Sequence, residues 1–269
     1  MKRESISRSS ANSGGKSPAE VRAMFARVAQ RYDFLNHFLS LRRDIYWRQV
    51  AAGEVAGLDE HDVIVDLCTG TGDLAFALRQ AAPTSRIIGL DFTPEMIALA
   101  ARKAALLSRP ALFATKNGET TGSHLKSRQD ACAKIMFALG DSLALPLQDN
   151  SVALISVAFG IRNIANLERG LSEMIRIARP GGKIVALEFT KPNGWFFGPL
   201  YMFYFRFILP ILGQLFAVVP GDAYRYLPQS VQTFAGPNEM IALLRKFGLK
   251  NVRATPLTFG VAHLYVGVK

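Results

Sequence analysis

The chain of 269 residues contains only two cysteines (Cys68 and Cys132), four histidines and two tryptophans. Two cysteines cannot build the disulfide framework of a small secreted scaffold, and they point to a reducing compartment. No His, Cys, Asp and Glu recur at metal-ligand spacing, so no metal is expected. Acid is scarce beside base: 21 Asp plus Glu stand against 32 Lys plus Arg, a formal net charge of +11. That excess favours nucleic acid, an anionic membrane surface or an acidic ligand, without choosing among them. The opening run MKRESISRSSANSGGKS lacks both the apolar core of a signal peptide and the hydrophobic face of a transit peptide. It reads as a disordered tail over residues 1–18, and export is not expected.

Apolar side chains are plentiful, at 49% of the chain, which excludes a mostly disordered protein and fits one large α/β domain over 19–269. Between Ala19 and about Glu54, Val21, Met24, Phe25 and Val28 recur at helical spacing. From Val63 onward, short β-branched runs alternate with longer helical stretches. The runs are VIVDL (63–67), RIIGLD (86–91), KIMFAL (134–139), VALISV (152–157) and KIVALEF (183–189). Such alternation predicts a parallel sheet covered by helices on both faces. LKNVRATPL and GVAHLYVGV predict a closing hairpin at one sheet edge. Segment 108–133, polar and rich in Gly, Lys, Ser and Thr, reads as an insertion.

Trp195 to Val219 is a long apolar run with one charge, Arg206, inside an expected helical cap over 195–235. Its length suffices to cross a bilayer. Gly198, Pro199, Pro210 and Gly213 interrupt it, however, and the charge near its centre is expensive in lipid. A buried helix, or an apolar cap touching lipid or a greasy substrate, is the better reading.

The strongest local signal is VDLCTGTGD, Val65 to Asp73. A strand ends at Asp66, a turn passes through Gly70 and Gly72, and a helix opens at about Asp73. Glycine lets backbone approach a ligand, and the helix start offers free N–H donors. Asp73 would repel a phosphate, so a cationic or zwitterionic ligand suits the turn better than a dinucleotide. Asp91, 18 residues later at the end of the second strand, is placed to accept from ribose hydroxyls, or else caps a helix near Thr93–Pro94. Asp141 follows the third strand and could contact an adenine amino group or cap a turn before Pro146. Asp66, Asp91 and Asp141 thus fall on one edge of a parallel sheet, where open α/β folds bind ligands. This order resembles the seven-stranded, Rossmann-like fold of S-adenosylmethionine (SAM)-dependent methyltransferases.

Further motifs follow in order: YDFLN (32–36), WR (47–48), FGIRN (159–163), ARPGGKIVALEFTKP (178–192), the aromatic 195–219 segment and AYRYLPQSVQTF (223–234). Together they resemble the quinone C-methyltransferases of the menaquinone and ubiquinone pathways, over residues 20–269 apart from the insertion. The resemblance implies methyl transfer from SAM to a ring carbon of a polyprenylated quinol, demethylmenaquinol first, at the cytoplasmic face of a membrane. It implies peripheral contact with an anionic membrane surface, no nucleic acid, and leaves a homodimer open. Its cofactor contacts fall on Thr71, Asp91, Asp141 and Ser142. Ala158 stands where many members have Ser, and Tyr265 where many have His, so His263 is given no role.

Carbon methylation needs the quinol hydroxyl to lose its proton to a base or beside a cation. Arg162 is the candidate cation, Asn163 would orient the hydroxyl, and Tyr32 or Asp33 could close over it. The plain alternatives are an ion pair for Arg162, a helix cap for Asn163, and a Tyr–Asp pair that pins helices. Cys68 reads as a packing residue, and His37 and His61 as surface or capping groups. An RNA methyltransferase of the same fold is the rival that the charge could serve, although the aromatics cluster in an apolar run rather than along a basic stripe. A non-catalytic SAM- or lipid-binding module is the rival from another class.

Overall fold

Residues 17–107, 135–192 and 222–269 are described by the computed structural model of the chain. The expected tail up to residue 16, the 108–133 insertion and the 195–221 part of the cap lie outside them.

Helix α1 (Pro18–Leu39) starts one residue before the hydrophobic periodicity does, because Ser17 caps it. The Ser17 hydroxyl accepts from Glu20 N–H at 3.3 Å, and Glu20 returns the bond to the Ser17 backbone N–H at 2.7 Å, with Pro18 at the first helical position. Residues 17 and 18 therefore belong to the fold rather than to the tail. Helix α2 (Arg43–Ala52) follows a tight elbow in which Leu41 and Arg42 both have positive φ. The alternating units come next: β1 (Val63–Leu67), α3 (Asp73–Ala81), β2 (Arg86–Asp91), α4 (Pro94–Leu107), β3 (Ile135–Leu139), β4 (Val152–Ala158), α5 (Leu167–Ile177) and β5 (Ala178–Phe189). After the undescribed stretch come α6 (Asp222–Thr233), α7 (Pro237–Lys246), β6 (Lys250–Leu257) and β7 (Ala262–Val268).

The seven strands lie in the order β3-β2-β1-β4-β5-β7-β6, with β7 antiparallel to both β5 and β6. β5 is five residues longer than its apolar run. Ala178 pairs with Val152 and Lys183 with Leu154, so Arg179–Gly182 bulge out of the ladder. Gly182 is required there, since a Cβ would press on the carbonyls of Arg179 and Val152 at 2.8 and 3.0 Å. Arg179 is held in the bulge by Asp62 at 2.6 Å.

Period-two alternation sends neighbouring residues into two separate cores. Val65, Ile88, Ile155 and Ile184 face α5 and α7, where Leu171, Met174, Met240 and Leu244 are buried. Ile64, Ile87, Leu154 and Val185 face α2 and α3, with Trp47, Leu74 and Leu78. Each of these side chains contributes about 1.5–3 kcal/mol relative to exposure. Trp47 also donates its indole N–H to Thr258 Oγ1 at 2.8 Å, tying α2 to the β6–β7 turn.

Between β1 and β4 the strand order reverses direction across the sheet, and the turns that follow the two strands leave toward opposite sides of the order. In an open parallel sheet this is where a crevice forms.

Candidate active site

After β1 the backbone turns through Cys68, Gly70 and Gly72, all at positive φ. At Gly72 (φ 89°) the left-handed conformation coincides with crowding, because a Cβ would meet the Phe137 ring at 2.9 Å. Opposite lies the turn after β4, where a Cβ on Gly160 would collide with the Cys68 side chain. Burial pushes the Cys68 thiol well above its ordinary range, so it stays a neutral packing group.

A cavity of about 550 Å³ opens between these turns. Its walls are Phe92, Leu139–Leu143, Gly160 and Asn163–Ala165, and Pro18 and Arg22 of α1 stand at its mouth. Asp141 and Ser142, the candidates for cofactor contact, line it. One Asp141 oxygen accepts from Leu143 N–H at 2.9 Å. A second, much smaller cavity of about 20 Å³ lies on the other side of Cys68, among Tyr32, Arg48, Asp66, Gly70, Thr71, Asp73 and Ala158. Cys68 lines both.

The remaining cofactor candidates are held by the protein itself. Asp66 accepts from Thr69 Oγ1 at 2.6 Å and from Ser156 Oγ at 2.7 Å. Burial outweighs those bonds and lifts its carboxyl from the ordinary 3.8 to about 6. Asp91 accepts from Gly70 N–H and Thr93 N–H, both at 2.9 Å. Burial raises its pKa too, against the pull of these backbone bonds. The alternative allowed by the sequence was a helix cap near Thr93–Pro94; Asp91 bonds Thr93 N–H just before α4, and it joins β2 to the glycine turn as well. Thr71 donates to Asp33 at 2.5 Å, and Asp33 pairs with Lys103 at 2.5 Å. Lys103 also reaches Asp73 at 2.7 Å. Helix α1 is thus latched onto the glycine turn through groups expected to face ligands.

Arg162 differs most from its expectation. It is buried, and its guanidinium pairs with Glu188, donates from Nη1 to Phe159 O at 2.8 Å and from Nε to Ser230 Oγ at 3.3 Å. The ion-pair alternative is therefore what the structure contains. Burial raises the Glu188 pKa, opposed chiefly by the charge of Arg162. Asn163 lines the large cavity, and its Oδ1 accepts from Tyr226 OH at 2.7 Å. Tyr32 sits at the small cavity, hydrogen-bonded to Asn36. Burial raises its phenol pKa, opposed by the Asn36 hydrogen bond and by the charges of Arg162 and Arg48.

Four groups central to this geometry had no role assigned from sequence. Tyr226 and Ser230, one helical turn apart on α6, clamp Asn163 and Arg162. Arg48 pairs with Asp44 at 2.5 Å and approaches Asp73 at 3.7 Å. Glu188 anchors Arg162 from β5. Their signals were the motifs YRYLPQS, WR and KIVALEF, but only contact geometry tells which side chain in each matters. His37, Asp44 and Asp73 place ligand-type atoms within 4.8 Å of one another, a cluster that linear spacing concealed. Arg48 already bonds Asp44, and burial of that carboxyl is outweighed by Ser40, Arg48 and His37, which hold its pKa low.

The ubiE/COQ5 methyltransferase family model matches residues 13–111 and 116–269. The chain belongs to this family. A demethylmenaquinone methyltransferase of Thermus thermophilus is 40% identical over 244 residues, covering 91% of this chain and 99% of the relative. A ubiquinone/menaquinone biosynthesis C-methyltransferase of Geobacter sulfurreducens is 37% identical over 250 residues, 93% of this chain and 88% of its own length. Among solved structures, a possible histamine N-methyltransferase of Thermotoga maritima superposes with TM-score 0.55 at 17% identity, covering 92% of this chain and 98% of that one. A SAM-dependent methyltransferase of Aquifex aeolicus does so with TM-score 0.51 at 15%, covering 94% and 98%. At that identity the structures speak for the fold alone, and they agree with the Rossmann-like methyltransferase architecture expected from sequence.

Proposed function

We propose that this ubiE/COQ5 family member transfers a methyl group from SAM to a ring carbon of a polyprenylated quinol, demethylmenaquinol in the first place. The observation that carries this reading is the large cavity ending on the FGIRN turn, which α6 holds by Tyr226–Asn163 and Ser230–Arg162 bonds. The curated relatives in both naming groups, quinone methyltransferases over nearly their full length, support the substrate class.

The residues suit the donor. The large cavity offers apolar Phe92, Leu139 and Ile164 beside polar Asp141 and Ser142, a lining fit for an adenine. Each Asp91 oxygen takes one backbone N–H and keeps a second lone pair for a ribose hydroxyl. Beyond Cys68, Arg48, Asp73 and Asp66 present both signs of charge to a zwitterionic end, with Gly70 and Thr71 supplying the backbone around it. When bound, SAM supplies an electrophilic methyl on a sulfonium and needs no metal to do so.

The protein's task is then to hold the quinol while its hydroxyl proton passes to solvent before the site closes. After methyl transfer the displaced ring proton leaves to water and the donor departs as a neutral thioether. Arg162 carries a permanent positive charge close to the Asn163 turn and stabilises the phenolate as it forms. Glu188 keeps the guanidinium in place. With Asn163 Oδ1 occupied by Tyr226, the amide nitrogen is left to donate to the quinol oxygen. Tyr32 and Asp33 close over the site from α1, which shields it from water. The substrate's prenyl tail and the net charge of +11 support work at an anionic membrane surface, on its cytoplasmic face.

The test is methyl transfer by the full chain, in detergent, with demethylmenaquinol beside a demethylated ubiquinol precursor, read by mass spectrometry. A ring-methylated naphthoquinol as main product is expected. Product from the benzoquinol alone would overturn the substrate assignment, and no product from either, with SAM bound, would overturn the reaction.

A further inference from the structure

Helix α1 has two faces. Val21, Met24, Val28 and Ala29 are buried beneath it, and Tyr32 and Asp33 point to the site. Flanking that face on the exposed side, Arg27, Arg31, Phe34 and Phe38 follow at spacings of four, three and four residues, which places them in one stripe. Phe34 is 56% exposed and stacks on Phe38 with ring centroids 5.8 Å apart. The stripe runs into the elbow before α2, where Leu41 is 78% exposed, and Arg42 and Arg43 follow it. Leu41 and Arg42 hold left-handed backbone although neither is glycine. That conformation is disfavoured for residues with a Cβ, and here it projects a large apolar side chain and a cation into solvent.

The charge around this surface is of one sign. Among the described residues, Arg27, Arg31, Arg42 and Arg43 are in no ion pair. The nearby carboxylates are already paired: Asp33 with Lys103 and Thr71, and Asp44, which is buried, with Arg48. An exposed aromatic and a leucine ringed by arginines, with no exposed acid between, fit an interface of acyl chains beneath anionic headgroups better than another protein surface.

We infer that the outer stripe of α1 and the α1–α2 elbow form the surface by which the protein docks on an anionic lipid bilayer, with Phe34 and Leu41 entering the headgroup layer. This assigns the membrane contact to α1 and its elbow, whereas the sequence had suggested the apolar 195–219 run, which lies outside the described residues. It rests on the proposed function only in taking the substrate to be membrane-borne. The same helix carries Tyr32 and Asp33, so the docked face lies one helix thickness from the site, and the quinol head has a short path from lipid.

The test is sedimentation of the full chain with vesicles of phosphatidylcholine alone or with phosphatidylglycerol. Binding is expected only to the anionic vesicles and is weakened by salt. F34S/L41S should weaken it on the order of tenfold or more, from the loss of two buried apolar side chains. Arg27→Gln with Arg31→Gln, which leaves the apolar tip intact, should do so by a similar factor. Both variants should still methylate a short-tailed, water-soluble demethylnaphthoquinol at the parent rate, which separates this inference from the proposed function. Parent-like vesicle binding by both variants would overturn the docking surface. Failure of the parent to methylate either quinol while binding vesicles would leave the surface standing and remove the proposed activity. Conversion of a dimer to a monomer by F34S/L41S, with vesicle binding kept, would make the face an interface between copies and overturn its role in docking.

Discussion

At the scale of single residues, the site is built from acids and cations that the protein neutralises internally. Arg162→Ala would strand Glu188 as a buried, unpaired carboxylate, a loss of about 3–5 kcal/mol seen as a lower Tm. Pairing Arg162→Met with Glu188→Gln should recover most of that stability, because no charge is left uncompensated. Methyl transfer should stay lost in the double variant. Recovery of turnover there would reduce Arg162 to a structural group. Asp66 gives a second residue-scale prediction. Its folded pKa stands raised, at about 6 against 3.8, so its carboxyl favours folding when protonated. That contribution is complete below pH 4 and lost as pH rises to about 6, roughly 3 kcal/mol over the interval. Asp91 and Glu188, also raised by burial, act in the same direction. Unfolding monitored by circular dichroism across this range should show a flatter pH dependence for Asp66→Asn than for the parent. An unchanged slope would remove Asp66 from the account.

Among the elements, α6 and α1 carry the roles that matter most. Tyr226→Phe keeps the buried ring of α6 and deletes only the bond to Asn163. One such bond is worth about 1 kcal/mol, so kcat should fall about fivefold with the affinity for SAM unchanged. Weakening of SAM affinity by the same factor would instead make Tyr226 part of the cofactor site. The latch of α1 is softer, since Asp33 and Lys103 are both about 30% exposed in their side chains. Exposed pairs contribute at most about 1 kcal/mol. Asp33→Ala should therefore speed SAM release a few-fold in stopped-flow measurements, and a release rate equal to the parent's would show that α1 does not gate the pocket. How these elements could be read beforehand follows from their chemistry. Strands β1 and β2 begin and end where their apolar runs do, because both faces are buried and the run is the strand. β5 began earlier than expected, since a bulge with two glycines carries no periodicity. The start of α1 was hidden by a capping serine that looked like the last residue of a polar tail.

Over the whole molecule, topology was legible because alternating strands and helices admit few arrangements, and the order of acids at strand ends already marked the ligand edge. Pairwise contact was not. Thr71 and Asp33 were read separately as ligand groups, and their bond to each other could not be seen from residues 38 positions apart. An ion pair of Arg162 was foreseen only as an alternative and without its partner, since Glu188 lies on β5, 26 residues away. The two motifs FGIRN and YRYLPQS looked like independent signatures, yet they are the two halves of one clamp. Among the described residues no helix is long and apolar enough to cross a membrane.

In the proposed reaction, the cavity between the β1 and β4 turns delivers a methyl group to a ring carbon. The most direct measurement is transfer from SAM carrying a ¹³C methyl to demethylmenaquinol, with the product's carbon spectrum recorded. A single enriched aryl-methyl signal on the naphthoquinol ring is the predicted result. Enrichment in an aryl methyl ether, or none in the quinol while SAM is bound, would contradict the account.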